Sequence, residues 1–284
     1  MRKMRLRSDR RYGVAGLLLF ALLVGAAGCA NLAAIQDFAA VSSESAAYTK
    51  LVGEYVESPI RQKRYQPPAE HPRLDRMAAD RAAQREALLL RHRLIREYMD
   101  VLGQLAADEA VVYDREVNAL GRAAREATFL NAQETDAFAA VTRVLLRAAA
   151  DGWRRRQLAE LIEGANAPFQ TVTTSLRVIV VQGFGGDAQN ERVAIDRFYR
   201  TVVAESRDRA GITAVQEWQE VRLAGVSARD EAIKAYGDVL EKIAQGHQRL
   251  YEGRGDLSAS ALRADIKGYA RDLRGAFERL RDAL

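Results

Sequence analysis

The chain has 284 residues, of which 48% are hydrophobic, 29% are charged and one is a cysteine. This composition is typical of globular helical proteins and excludes collagen-like and compositionally disordered chains. One cysteine excludes an intramolecular disulfide, and together with three histidines it leaves few side chains from which a metal site could be built.

The surplus of basic residues is confined to the N-terminus. The whole chain has 43 Lys and Arg against 38 Asp and Glu. Residues 1–28 hold six of these basic residues and one of the acidic residues, which leaves 37 of each in residues 29–284. Nucleic-acid binding needs a surplus of positive charge on the binding surface, so the neutral body argues against a nucleic-acid partner.

Residues 1–28 have the layout of a secretory signal peptide. A basic stretch is followed by an uncharged stretch, rich in Leu and Ala, from Val14 to Gly28. This stretch is shorter than the roughly 20 residues that a membrane-spanning helix needs. The pattern therefore favours a cleaved leader over a permanent membrane span.

The only cysteine follows this stretch directly, in the sequence Gly25-Ala26-Ala27-Gly28-Cys29. The segment resembles the lipobox of bacterial lipoprotein precursors, with Ala26 where that family most often has Leu. The resemblance covers residues 1–29 and implies that Cys29 is the first mature residue, with a diacylglyceryl group on its sulfur and usually a third acyl chain on its amine. Such chains hold a protein at a bilayer far more firmly than one myristoyl group does. The alternatives are an ordinary cleavage site beside a chance cysteine and a small buried cysteine.

The residue after Cys29 is Ala30 and not Asp. By analogy with the sorting of enteric lipoproteins, we expect the anchor in the outer membrane, with the protein on its periplasmic face. The lipid bilayer, reached through acylated Cys29, is thus the first predicted partner.

Apolar residues recur at alternating steps of three and four along the mature chain, which predicts helices packed at shallow angles. The first seam runs from Ala34 through Phe38, Val41, Ser45, Tyr48 and Val52 to Tyr55. The other clear seams are Leu88, His92, Ile95, Met99, Leu102 and Ala106; Ala232, Tyr236, Val239, Ile243, Gly246 and Leu250; and Leu262, Ile266, Tyr269, Leu273, Ala276 and Leu280.

Helix ends are marked less clearly than helix faces. Three prolines between residues 67 and 72 predict a loop. Asn131 with Glu134, and Thr213 with Gln216, have the spacing of capping boxes at helix starts. The seam from residue 138 to residue 179 predicts one long helix kinked at Pro168. Whether residues 109–130 continue the preceding helix or turn back stays open.

Residues 171–186 carry competing signals. Thr and Val dominate residues 171–181, so a strand competes with the helix predicted there. Gly183, Gly185 and Gly186 predict a turn that ends the helix. In a functional alternative, Phe184 lies exposed on the tip of this turn and touches a partner or lipid.

Together these patterns predict an all-α fold, an elongated antiparallel helical bundle with coiled-coil-like heptad seams. Residues 1–28 form the signal peptide and residues 29–284 a single domain. A helical solenoid is the second choice, because no 34-residue repeat is visible.

No motif for catalysis, cofactor binding or metal binding stands out. The glycines at 183–186 lack the Lys-Ser/Thr of a phosphate loop and the third glycine of a dinucleotide site. None of the three histidines has Glu three residues before it, as a di-iron bundle requires. His92 and His247 are expected in or near packed seams and His71 in solvent. Arg154–Arg156 are expected on a solvated helix face, with lipid headgroups or another anion as the alternative ligand.

We therefore predict no catalytic residue, cofactor or metal, and a single site residue, Cys29 for lipid attachment. The leading hypothesis is an outer-membrane lipoprotein whose helical bundle is a structural or protein-interaction module with an envelope protein as partner. One alternative is an envelope enzyme that acts through a carboxylate pair between helices. Another is a membrane-perturbing protein that inserts the stretch Val178–Phe184.

Overall fold

A computed structural model describes residues 32–111 and 114–284 of the chain. Its helices are α1 (Ala33–Ala46), α2 (Lys50–Gln62), α3 (His71–Ala107), α4 (Asp114–Glu126), α5 (Ala132–Ala150), α6 (Leu158–Val178), α7 (Gly185–Glu205), α8 (Arg209–Glu252) and α9 (Ser260–Asp282). A π-helical segment, Ile179–Phe184, joins α6 to α7. The described residues contain no strand, so the predicted all-α bundle is confirmed.

Helix α3 forms one axis of the bundle. Its 37 residues correspond to about 55 Å of helix. Helices α1 and α2 follow one another along it in the opposite direction, since Ala39 lies beside Gly103 and the Ala46 carbonyl beside His92. The helix ends where Asp108 adopts the left-handed conformation, with φ of 65°, and the chain turns back into α4.

Helix α8 forms the second axis, with 44 residues and a length of about 66 Å. It is paired with α7 in one antiparallel hairpin and with α9 in another. Helix α6 also runs antiparallel to it. Contacts from His92 to Tyr236 and from Tyr98 to His247 show that α3 and α8 run in the same direction.

The seams predicted for α3, α8 and α9 are confirmed. Every residue of the α3 and α8 seams is buried, and in the α9 seam only Tyr269 is half-buried. The seam predicted from Ala34 to Tyr55 is divided between α1 and α2, because the helix is interrupted at residues 47–49.

Two predicted helix boundaries are wrong and one is confirmed. The long helix expected to kink at Pro168 is two helices, α5 and α6, separated at residues 151–157; Pro168 lies inside α6. Thr213 does not start a helix, since Asp208 caps α8 by accepting hydrogen bonds from the amides of Ala210 and Gly211. The capping box of Asn131 and Glu134 is confirmed, with both reciprocal hydrogen bonds present.

Residues 171–186 are helical throughout, so the strand alternative and the predicted glycine turn are both wrong. Phe184 is buried and stacks on Tyr55, with ring centroids 4.3 Å apart, rather than lying on an exposed tip. The buried positions Leu176, Val180, Phe184 and Ala188 are spaced by four residues three times in succession. The wider turn of a π-helix keeps such positions on one face, because its hydrogen bonds join residues five apart.

Candidate functional site

The described chain begins at one end of the bundle. Cys29, the predicted lipid-attachment residue, lies outside the described residues, and Leu32 precedes α1 directly. Because α1 and α3 are antiparallel, Leu32 lies level with Asp108 at the end of α3. We call this the proximal end. The distal end contains residues 67–70, which precede α3, and residues 206–208, which join α7 to α8.

A turn with three arginines lies at the proximal end. Residues Arg155–Gln157 form a single 3₁₀ turn, so the helix face predicted for Arg154–Arg156 is wrong. Asp108 fixes the turn: its carbonyl accepts a hydrogen bond from Arg154 Nη1 at 3.1 Å, and its carboxylate accepts one from the Arg155 amide at 3.2 Å. The side chains of Arg154 and Arg156 are exposed, whereas Trp153 beside them is buried.

The core between α3 and α8 holds two histidine–tyrosine pairs. His247 Nε2 lies 2.6 Å from the Tyr98 hydroxyl, and its Nδ1 lies 3.0 Å from Asn166 Oδ1. His92 Nδ1 lies 2.9 Å from the Tyr236 hydroxyl and 3.1 Å from the Ala46 carbonyl. The expectation that His92 and His247 belong to packed seams is confirmed.

Burial keeps both histidines neutral. It lowers the pKa of His92 to about 4 and that of His247 to about 3, and it raises the pKa of the Tyr98 and Tyr236 hydroxyls. These pairs therefore exchange neutral hydrogen bonds at neutral pH. His71 is half-buried rather than fully solvated, with Nε2 3.1 Å from the Gln66 carbonyl.

A cluster of ion pairs lies beside the π-helical segment, where α2, α3, α7 and α8 meet. Arg81 of α3 pairs with Asp187 of α7. Glu191, one turn further along α7, pairs with Arg229 of α8 at 2.8 Å and with Arg61 of α2 at 3.2 Å. The cluster thus ties the π-helical region to three other helices.

Further contacts complete this cluster. Arg61 also binds Glu54 at 3.2 Å, so three carboxylates face three arginines. The guanidinium of Arg81 lies 4.5 Å from the Tyr55 ring centroid and donates to Ser58 Oγ at 3.2 Å. Its charge is therefore held by a carboxylate, a hydroxyl and an aromatic face.

The buried carboxylates of this cluster are the arrangement that the enzyme alternative requires. Asp187 and Glu191 are 7% and 3% exposed. Burial raises the pKa of Asp187, and the nearby Arg81 opposes that rise. The cavity beside them has a volume of about 20 Å³, which is room for a single water molecule. With each carboxylate paired to an arginine, the arrangement chiefly fixes helix positions.

Sequence reasoning missed this cluster because its partners are far apart in the chain; Arg81 and Asp187 are separated by 106 residues. One local signal existed. The change from alternating steps of three and four to successive steps of four, from Leu176 to Ala188, indicates a wider helical turn, and π-helical turns are frequent at functional sites.

The distal part of the α7–α8 hairpin carries exposed apolar side chains. Trp218 and Val221 are 67% and 66% exposed, and Val193 and Phe198 are 46% and 38% exposed. Between Tyr199 and Val226 no residue is buried. These exposed apolar side chains make the distal hairpin the candidate interaction surface among the described residues.

No helix among the described residues has the length and apolar character needed to cross a membrane. Comparison of the chain with protein-family models, with curated proteins and with solved structures found no match.

Proposed function

We propose that this chain is a periplasmic lipoprotein, anchored in the outer membrane through acylated Cys29, whose helical bundle is a protein-interaction module rather than an enzyme. The observation that carries the proposal is the position of the exposed apolar side chains of α8, Trp218 and Val221, in the distal half of the bundle. The lipobox-like segment Gly25–Cys29 supplies the anchor at the opposite end.

The short distance between anchor and bundle supports this arrangement. Cys29 and Leu32 are three positions apart, and an extended chain covers at most about 3.6 Å per residue. An acylated Cys29 would therefore hold the proximal end within about 11 Å of the lipid. The distal hairpin would then stand away from the membrane by roughly the length of α3, about 55 Å.

A radioactive fatty acid tests the anchor. We expect the wild-type chain to incorporate the label and the variant Cys29→Ser to incorporate none and to keep its leader, because the thiol is the attachment atom. Cys29→Ser exchanges one atom in a residue that precedes the described helices in sequence, so we expect the far-ultraviolet circular dichroism of the bundle to be unchanged. Continued labelling of the variant would contradict the anchor.

Photocrosslinking in living cells tests the interaction surface. A photoreactive residue at Trp218 should form covalent protein adducts, since that side chain is exposed on the distal hairpin. The control position is Ala264, which is also helical and exposed but lies near the start of α9, toward the proximal end. Equal adduct yields at the two positions would contradict a distal interaction surface.

A further inference from the structure

The exposed part of α8 carries a second heptad seam that the described residues leave uncovered. Ala214, Trp218, Val221 and Gly225 follow one another at steps of four, three and four, and all are exposed. The face of α8 that packs toward α7 is a different one, made of the partly or fully buried residues Ile212, Val215, Gln219, Leu223 and Val226. At about 100° per residue the two faces are separated by about 120° around the helix.

This seam has the composition of a coiled-coil contact. Trp218 and Gly225 occupy equivalent positions one heptad apart, and Ala214 and Val221 occupy the other core position. The two large side chains lie in the middle and the two small residues lie at either end. The heptad pattern therefore fits another helix lying alongside, rather than a small molecule or a flat surface.

Charged residues on either side of the seam specify the partner. Glu217 directly precedes Trp218, and Arg222 directly follows Val221. Both are exposed, and among the described residues neither takes part in an ion pair. Arg222 is close enough to the Tyr65 hydroxyl to oppose the rise in that group's pKa caused by burial.

In a parallel pair of identical helices, the residue before one core position meets the residue five further along on the partner helix. Glu217 of one copy would then meet Arg222 of the other, and the reverse contact would form by symmetry. An antiparallel pair would bring Glu217 near Ala224 of the other copy instead and lose both ion pairs. The charges thus favour a parallel second copy.

We propose that the seam Ala214–Trp218–Val221–Gly225 binds the same seam of a second copy of this chain, in a parallel two-fold dimer. The inference rests on the proposed function in one respect, because two copies anchored through Cys29 in one membrane stand in the same direction. Anchoring also confines both copies to a thin layer, which raises their effective concentration.

Cysteine crosslinking in intact envelopes tests the geometry. The full chain has no cysteine other than Cys29. In a parallel dimer, Val221→Cys places the two new thiols at the shared core, so mild oxidation should give a disulfide-linked dimer in good yield. The matched control, Gln216→Cys, is also exposed but lies on the opposite side of α8, and we expect at least a tenfold lower yield.

Co-expression of two different cysteine variants tests whether the paired helices are parallel or antiparallel. Co-expression of differently tagged Trp218→Cys and Val221→Cys chains should give mainly homodimers if the helices are parallel. A dominant mixed dimer would indicate an antiparallel pair and overturn the proposal. Absence of any dimer with Val221→Cys and with Trp218→Cys would also overturn it.

Charge exchange tests whether the partner is the chain itself. In the Val221→Cys background, Glu217→Arg alone and Arg222→Glu alone should each reduce crosslinking by roughly tenfold, because two attractive contacts become repulsive. Glu217→Arg combined with Arg222→Glu should restore it. Two chains carrying one single change each should crosslink with each other in preference to themselves. If the double variant is not restored, or if crosslinks lead only to another protein, the second copy is excluded.

Fatty-acid labelling of the same Val221→Cys chain separates the two proposals. A chain that is labelled but gives no dimer contradicts the proposed dimer and is consistent with the proposed anchor. An unlabelled chain contradicts the anchor, whatever its crosslinking.

Discussion

The two halves of α8 carry heptad seams of the same spacing, but one seam is buried and the other is exposed. In the C-terminal half, the seam residues from Ala232 to Leu250 are buried against α1, α6 and α9, and Tyr236 also contacts His92 of α3. In the N-terminal half, Trp218 and Val221 remain about two-thirds exposed. Heptad spacing therefore shows which face of a helix is able to pack, and not whether the same chain supplies the surface that packs there.

The largest expected difference between these halves is in their response to acid. His247 belongs to the C-terminal half and His92 of α3 contacts it, and burial lowers the pKa of His92 to about 4 and that of His247 to about 3. Between those values and the unfolded value of about 6.5, the unfolded chain binds more protons than the folded chain does, so lowering the pH favours unfolding. We expect the free energy of unfolding in urea to fall by about 3–4 kcal/mol from pH 7 to pH 5 through these two groups.

The variant His247→Gln isolates this effect, since the amide retains a hydrogen-bond partner for Tyr98 but does not titrate. Its unfolding free energy should vary with pH about half as steeply as that of the wild type over the same interval. Because carboxylates titrate equally in both proteins, an unchanged slope would show that His247 is not buried in a neutral state.

The next largest difference should be in the unfolding free energy that is lost when one seam residue of each half is truncated to alanine. Ile243 is fully buried, so Ile243→Ala should cost about 2–5 kcal/mol of unfolding free energy. Val221→Ala, in the exposed seam, should change it by no more than about 0.5 kcal/mol. Urea titrations at a protein concentration low enough to prevent self-association compare the two, and similar costs would mean that the exposed seam is covered within the monomer.

Glycine-to-alanine substitutions in the two seams should change the stability of the fold in opposite directions. An added Cβ at Gly246 would lie 2.4 Å from the Phe38 ring, so Gly246→Ala should destabilise by about 1–3 kcal/mol. The nearest atom to an added Cβ at Gly225 is an Arg229 nitrogen at 3.9 Å. Gly225→Ala should therefore stabilise by about 0.5–1 kcal/mol through helix propensity, and thermal unfolding should show the two shifts in opposite directions.

The smallest expected effect concerns the start of α8. Asp208→Ala removes the side chain that accepts hydrogen bonds from the Ala210 and Gly211 amides, which costs about 1 kcal/mol at a helix N-terminus. Because no residue of the segment 209–213 is fully buried, the loss should stay local. Amide exchange at residues 209–213 should accelerate about fivefold while exchange in α3 is unchanged. Faster exchange in both would show that the hairpin and the bundle unfold together.

The sequence was sufficient to predict the parts of the fold that local chemistry determines. The seams of α3, α8 and α9 and the capping box at Asn131 depend on residues within a few turns of each other, and all were predicted. The Gly183–Gly186 segment was not, because its local preference for a turn is overridden by a distant contact, the stacking of Phe184 on Tyr55. The ion pairs around Asp187 could not be predicted either, because their partners are also distant in the chain. The exposed α8 seam was missed because alternation of apolar residues says nothing about exposure.

The π-helical segment has a consequence for insertions and deletions in this region. Removing one residue from Ile179–Phe184 would let the chain close into an ordinary α-helix without breaking it. Leu176 and Ala188 would then be eleven residues apart in a regular α-helix, which turns by about 1,100° and returns to within about 20° of the same face. Asp187 and Glu191 would therefore stay on the side of the arginines of α2, α3 and α8. A one-residue deletion in the regular part of α6 or α7 would instead turn everything after it by about 100°, so the π-helical segment is where this pair of helices can lose a residue and keep its contacts.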